Sequence, residues 1–227
     1  MKLSRVLQTA AITCRLGACV RTPVPVLNGP GGLVTNRAAV ERATTDSARL
    51  PYTKADIDFM TGMIAHHAQA IVMSKLVPSR STNQSVRTLA ERIINAQDDE
   101  IVAMQRWLLN RRQPVPDPKG DSAHTMAGHS HEMRGMSGGA MPGMLSAPQL
   151  AQLDSARSPM FDELFLTFMI QHHKGAVSMV KDLFSATGAG QDETVFKFAS
   201  DVSVDQTTEI ARMERMLVFL KFEKKSP

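Results

Sequence analysis

The stretch Met63–Met73, MIAHHAQAIVM, returns 106 residues later as Met169–Met179, MIQHHKGAVSM, with six of eleven positions identical. Its apolar residues recur at helical spacing. At 100° per residue both histidines of each copy lie within about 80° of the leading Met, inside the apolar stripe.

Reading outward from the first copy, Thr53-Lys-Ala-Asp56 spells a capping box, and the periodic run continues to Leu76 before Pro78. The pattern predicts a helix over 54–77. Asn83 or Ser81 can cap a second helix that ends at Arg111-Arg112 ahead of Pro114. Around the second copy, Ser146-Ala-Pro148-Gln149 opens a short helix, Ser158-Pro159 restarts it, and a long helix runs from Phe161 to Phe184. Gly188 and Gly190 end that helix, and Asp192 can cap a fourth long one. The repeat extends to these partner helices: Gln97-x-x-Glu100-Ile101-x-x-Met104 matches Gln206-x-x-Glu209-Ile210-x-x-Met213 at an offset of 109. Strand-like alternation is absent. Two matched helix hairpins over 51–224 predict an all-α fold, a four-helix bundle with a long connection at 113–147.

The charge does not point to nucleic acid. The net charge is +4, but residues 1–50 carry seven Lys and Arg against Glu41 and Asp46, whereas 51–227 carry nineteen against twenty acids. The basic excess lies in a leader whose Lys2 and Arg5 precede an apolar stretch ending in Leu16-Gly17-Ala18-Cys19. That layout predicts a signal peptide over 1–19, with Cys19 acylated as in bacterial lipoproteins, a tether over 20–50, and an exported, periplasmic or cell-surface protein. Cys14 and Cys19 are the only cysteines, so the body contains no thiol for disulfides or catalysis.

Four of the seven histidines, His66, His67, His172 and His173, are thus placed on two core helices, each pair flanked by Met63 and Met73 or by Met169 and Met179. A thioether three or four residues from an imidazole shares its helix face and could share a metal. Gln97, Glu100, Gln206 and Glu209 interrupt the partner stripes at matching places and suit hydrogen bonds that orient the rings. A satisfied polar core is the plainer explanation. The connection weighs against it: His124, His129 and His131 alternate with Met126, Met133, Met136, Met141 and Met144 in a Gly-rich segment with no core to fill. Thioethers select Cu(I) and imidazole suits Cu(II), so His with Met and without Cys points to copper. Zinc fits less well without Cys, and a ferritin-type di-iron centre needs Glu-x-x-His, which the chain lacks.

On the doubled Met-Ile-x-His-His motif and the Gln-x-x-Glu-Ile-x-x-Met helices that follow, the chain resembles a bacterial family catalogued as a domain of unknown function, related to exported copper-binding proteins of the CopM type. The resemblance covers about 51–222. It implies a ferritin-like bundle outside the cytoplasm that binds copper through His and Met, at the motif positions 63, 66, 67, 73, 169, 172, 173 and 179. Gly62 stands where the second copy has Phe168, so the halves need not bind equally.

The expectation is a non-enzymatic copper protein for buffering, tolerance or transfer. A metal-dependent oxidoreductase on the same ligands and a structural or partner-binding bundle are the alternatives. Copper held by imidazole is further expected to leave on mild acidification, near the ordinary His pKa of about 6.5, while thioether-bound Cu(I) persists.

Overall fold

The computed structural model describes residues 51–118 and 141–223. They form α1 (Lys54–Arg80), α2 (Gln84–Asn110), α3 (Ala147–Ser155), α4 (Met160–Ser185) and α5 (Glu193–Glu223), with no strand among the described residues. Helix α1 packs along α2, α4 along α5, and α1 against α4, giving the helical bundle that the repeat predicts. The leader, the tether and the loop residues His124, Met126, His129, His131, Met133 and Met136 lie outside the described residues.

The caps form at the predicted positions. The Asp56 amide donates to Thr53 Oγ1 at 3.3 Å and the Thr53 amide donates to Asp56 Oδ2 at 2.6 Å. The other Asp56 oxygen accepts from the Gly190 amide at 2.7 Å, so this cap also fixes the turn between α4 and α5. Asn83 Oδ1 accepts from the Ser85 and Val86 amides, while Ser81 terminates α1 and its hydroxyl accepts from the Asn83 amide. Asn83→Ala is therefore expected to cost about 1 kcal/mol, measured as a lowered urea midpoint with unchanged slope.

One boundary needs correction. Pro78 does not close α1, which runs on to Arg80. A proline here removes only the bond to the carbonyl of Ser74 and already has helical φ, so the last turn survives, ended by the Ser81 amide on Val77 O at 2.9 Å.

Asp192 caps α5 through the Thr194 and Val195 amides and also accepts from Trp107 Nε1 at 3.1 Å and from the Arg111 guanidinium. Burial alone would raise its pKa, but these donors hold it below the usual carboxylate value.

The core divides in two. One apolar cluster takes Phe59 to Ile64 from α1, Ile101 to Leu108 from α2, Ala176 to Leu183 from α4 and Val195 to Val202 from α5. The other takes Met73 and Val77, Val86 to Ile93, Phe161 to Ile170, and Met213. On α2, α4 and α5 the stretches between the clusters carry Gln97 and Glu100, His172 and His173, and Gln206 and Glu209, while on α1 His66 and His67 stand just before Ala68 to Ile71, where the two clusters overlap. The repeat thus builds one polar layer across the middle of the bundle.

Candidate metal centre

All four imidazoles are fully buried, at 0% exposure. The outer pair makes carboxylate contacts with the partner helices: His173 Nε2 lies 2.8 Å from Glu209 Oε2 in hydrogen-bonding geometry. His67 Nε2 lies 2.6 Å from Glu100 Oε2 but is poorly aligned, so it is a close polar contact and not a formed hydrogen bond. The inner pair, His66 and His172, meets across α1 and α4 with ring centroids 3.9 Å apart and planes inclined at 43°.

These contacts decide the tautomers. A carbonyl or carboxylate only accepts, so Nε2 of His66, facing Pro142 O at 3.0 Å, and Nε2 of His173 carry the proton. In a neutral ring the Nδ1 lone pair is then bare. Nδ1 of all four imidazoles is buried without a hydrogen-bond partner, and in His172 so is Nε2. A ring held at one nitrogen with the other lone pair free is the arrangement of a histidine metal ligand oriented by an outer acceptor.

The inner pair stays neutral far into acid. Burial pushes the His66 pKa down to about 3, helped by the nearby His67 and His173 and opposed by the Pro142 carbonyl. Burial, with the other three imidazoles, drives His172 well below its ordinary value. This corrects the expectation of copper release near pH 6.5 for this pair: buried, already deprotonated nitrogens do not compete with protons there.

The predicted ligands separate into groups. Met63 and Met179 are buried in one apolar cluster, and Met73 and Met169 in the other, on opposite sides of the polar layer. Gln97 and Gln206 enter the layer as predicted, yet Gln97 Oε1 and both amide atoms of Gln206 have no hydrogen-bond partner. Among the described residues no three His, Cys, Asp or Glu side chains gather into a ligand cluster. The residues present fit a metal that accepts two imidazoles and completes its shell with sulfur.

Sequence reasoning missed the strap over the inner pair. Met141-Pro142-Gly143-Met144 forms a turn, with the Met144 amide on Met141 O at 3.2 Å and Gly143 at φ +76°, as a type II turn requires. The Gln69 side chain clamps Leu145 at both backbone groups, 2.7 Å to its amide and 3.1 Å to its carbonyl, and Gln171 Nε2 donates to Gly143 O at 3.3 Å. Gly175 makes room below it, since a Cβ there would stand 2.0 Å from Pro142 O. Two signals were available: the Pro-Gly turn pair, and the repeat's mismatch of Gln69 with Gly175. Met141 and Met144 sit on this strap, both half-buried.

With this geometry in hand the chain can be compared with known proteins. A family model described as a domain of unknown function, DUF305, matches residues 56–217. A DUF305 fragment from Deinococcus radiodurans is 29% identical with a TM-score of 0.59, covering 74% of this chain and 97% of the fragment. A DUF305 protein from Streptomyces coelicolor, provisionally described as secreted, is 26% identical with a TM-score of 0.61, covering 74% and 92%. CopM in its Cu(II)-bound form is 28% identical with a TM-score of 0.54, covering 71% and 95%, and CopM has also been solved with Cu(I) and with silver. Among curated proteins, uncharacterized protein L153 of Acanthamoeba polyphaga mimivirus is 40% identical over 63 residues, so the match spans 41% of that protein's length. None of these descriptions names a catalyst. The match over most of the bundle, together with solved relatives of the same fold, shows that this chain belongs to the DUF305 family.

Proposed function

We propose that the protein is a non-catalytic copper binder working outside the cytoplasm, in buffering, tolerance or transfer, and that the His66–His172 pair is its central site. The observation that carries this reading is the buried pair itself: rings 3.9 Å apart, with the Nδ1 lone pair of His66 free and neither His172 nitrogen hydrogen-bonded, in a layer between two apolar clusters. A purely structural layer would leave those nitrogens unsatisfied, at about 1–3 kcal/mol each. Copper and silver bound to CopM, a relative of the same fold, support the choice of metal. The leader and the secreted description of the Streptomyces relative support export, with Cys19 as the candidate lipid anchor. No described helix is long and apolar enough to cross a membrane. The outer histidines and the Met/His connection, residues 124–144, would capture the ion and pass it inward.

The test is copper titration of the purified full chain against His66→Ala/His172→Ala. The double variant is expected to lose the tightest site while keeping weaker binding by the connection. Absence of any copper binding by the intact protein would falsify the reading.

A further inference from the structure

The two ends of the polar layer differ. Gly62, one turn before His66 on α1, stands where the second hairpin has Phe168, one turn before His172 on α4. A Cβ on Gly62 would lie 3.4 Å from Met179 Cε and 3.5 Å from Met141 Sδ. Two thioether side chains therefore converge on bare backbone, one turn along the helix from the inner imidazole pair. The other side of the layer has no such opening: Phe168 is buried in the apolar cluster that holds Met73 and Met169. Both ends carry methionines, but only the Gly62 side leaves bare helix backbone for them to converge on.

The Gly62 end is also the end the strap serves. Pro142, the neighbour of Met141, gives its carbonyl to His66 Nε2 at 3.0 Å, so the same anchor fixes the imidazole and delivers the thioether. The Gln69 clamp and the Gly175 recess hold the rest of the strap in register. Methionine has three flexible torsions, so a half-buried Met141 can swing its sulfur inward while the strap backbone stays in place.

We propose that Met141 is a metal ligand, completing with Met179 and the His66–His172 pair a mixed nitrogen and sulfur site for a soft monovalent cation, Cu(I) or Ag(I), entered from the Gly62 side. This rests on the copper-binding reading above and adds to it a direction, an oxidation state and a strap ligand. Thioethers favour Cu(I) over Cu(II), and the free Nδ1 of His66 needs no proton removed to bind. Phe168 closes the opposite end.

The test follows the methyl resonances of 13C-methyl-Met-labelled full chain during Ag(I) titration, with anaerobic Cu(I) competition against a chromophoric chelator. Met141 and Met179 methyls are expected to shift together in the wild type. Met141→Leu, which keeps the volume, and Gly62→Phe, which copies the closed end, are each expected to lower Cu(I) affinity about tenfold or more. If the wild type binds neither ion, the underlying copper reading fails. Wild type that binds while Met141 and Met179 stay unmoved up to saturation, or a Met141→Leu variant with unchanged Cu(I) affinity, overturns the strap ligand alone.

Discussion

Metal-free protein is expected to lose stability steeply as the pH falls from 6.5 towards 3. His66 has its pKa depressed in the folded state to about 3 by burial, while the unfolded chain titrates at the ordinary 6.5. Between those values the unfolded state binds a proton that the folded state refuses, so unfolding is favoured progressively on acidification and the effect is absent above pH 6.5. The window corresponds to about 5 kcal/mol for His66, and His172 acts in the same direction. That is comparable with the whole stability of a typical domain, roughly 5–15 kcal/mol. Urea unfolding at a series of pH values would measure it. Carboxylates also contribute to acid unfolding, so His66→Gln serves as the reference and should show a flatter profile. Parallel profiles for the two proteins between pH 6.5 and 4 would sink the argument.

Gly175→Ala should be the most disruptive small substitution in the bundle. Its Cβ would lie 2.0 Å from Pro142 O and 2.6 Å from Gly143 Cα, and both neighbours are backbone, so no flexible side chain can give way. The strap must lift by roughly 1 Å, breaking the His66–Pro142 and Gln171–Gly143 bonds and straining the Gln69 clamp. A loss of about 2–4 kcal/mol follows from overpacking and orphaned buried donors. Gly62→Ala is the contrast: its Cβ meets only the tips of two methionines at ordinary contact distance and should cost under about 1 kcal/mol. Denaturant midpoints would rank the two variants, and hydrogen exchange at the Leu145 amide, bonded to Gln69 Oε1, reports the strap directly. A Gly175→Ala protein of wild-type stability with that amide still protected would show that the strap is not seated as described.

Much of this architecture was legible in the residues because the chain repeats itself. A capping box at Thr53, Asn83 and Asp192 at helix starts, and 3.6-residue periodicity fixed the long helices, since each feature acts within one or two turns. The burial of all four histidines followed from their angle on the stripe, and the contacts of Glu100 and Glu209 from the matching interruption of the partner helices. What the sequence hid depends on packing between distant segments. That His66 meets His172 and not His173 is set by how α1 crosses α4, which no spacing within either helix encodes. The depressed pKa of His66 likewise comes from complete burial, which a wheel diagram suggests but does not measure. The strap was concealed for another reason: MPGM sits at the end of a Gly-rich stretch, and its partners Gln69 and Gly175 lie 76 and 32 residues from Leu145 and Gly143. Pro78 misled because proline opposes a helix interior far more than a final turn.

The seating of the strap between Gln69 and Gly175 has a bearing on assembly. Duplicated hairpins of this kind could in principle pair with their own copies, making the chain exchange halves between molecules. Two first hairpins would bring Gln69 to both faces with no recess for the strap backbone, and two second hairpins would bring Gly175 to both without the Gln69 clamp on Leu145. Only the unlike pairing supplies one clamp and one recess. The difference between the halves therefore selects against like-with-like pairing, so that His66 of a first hairpin is matched to His172 of a second.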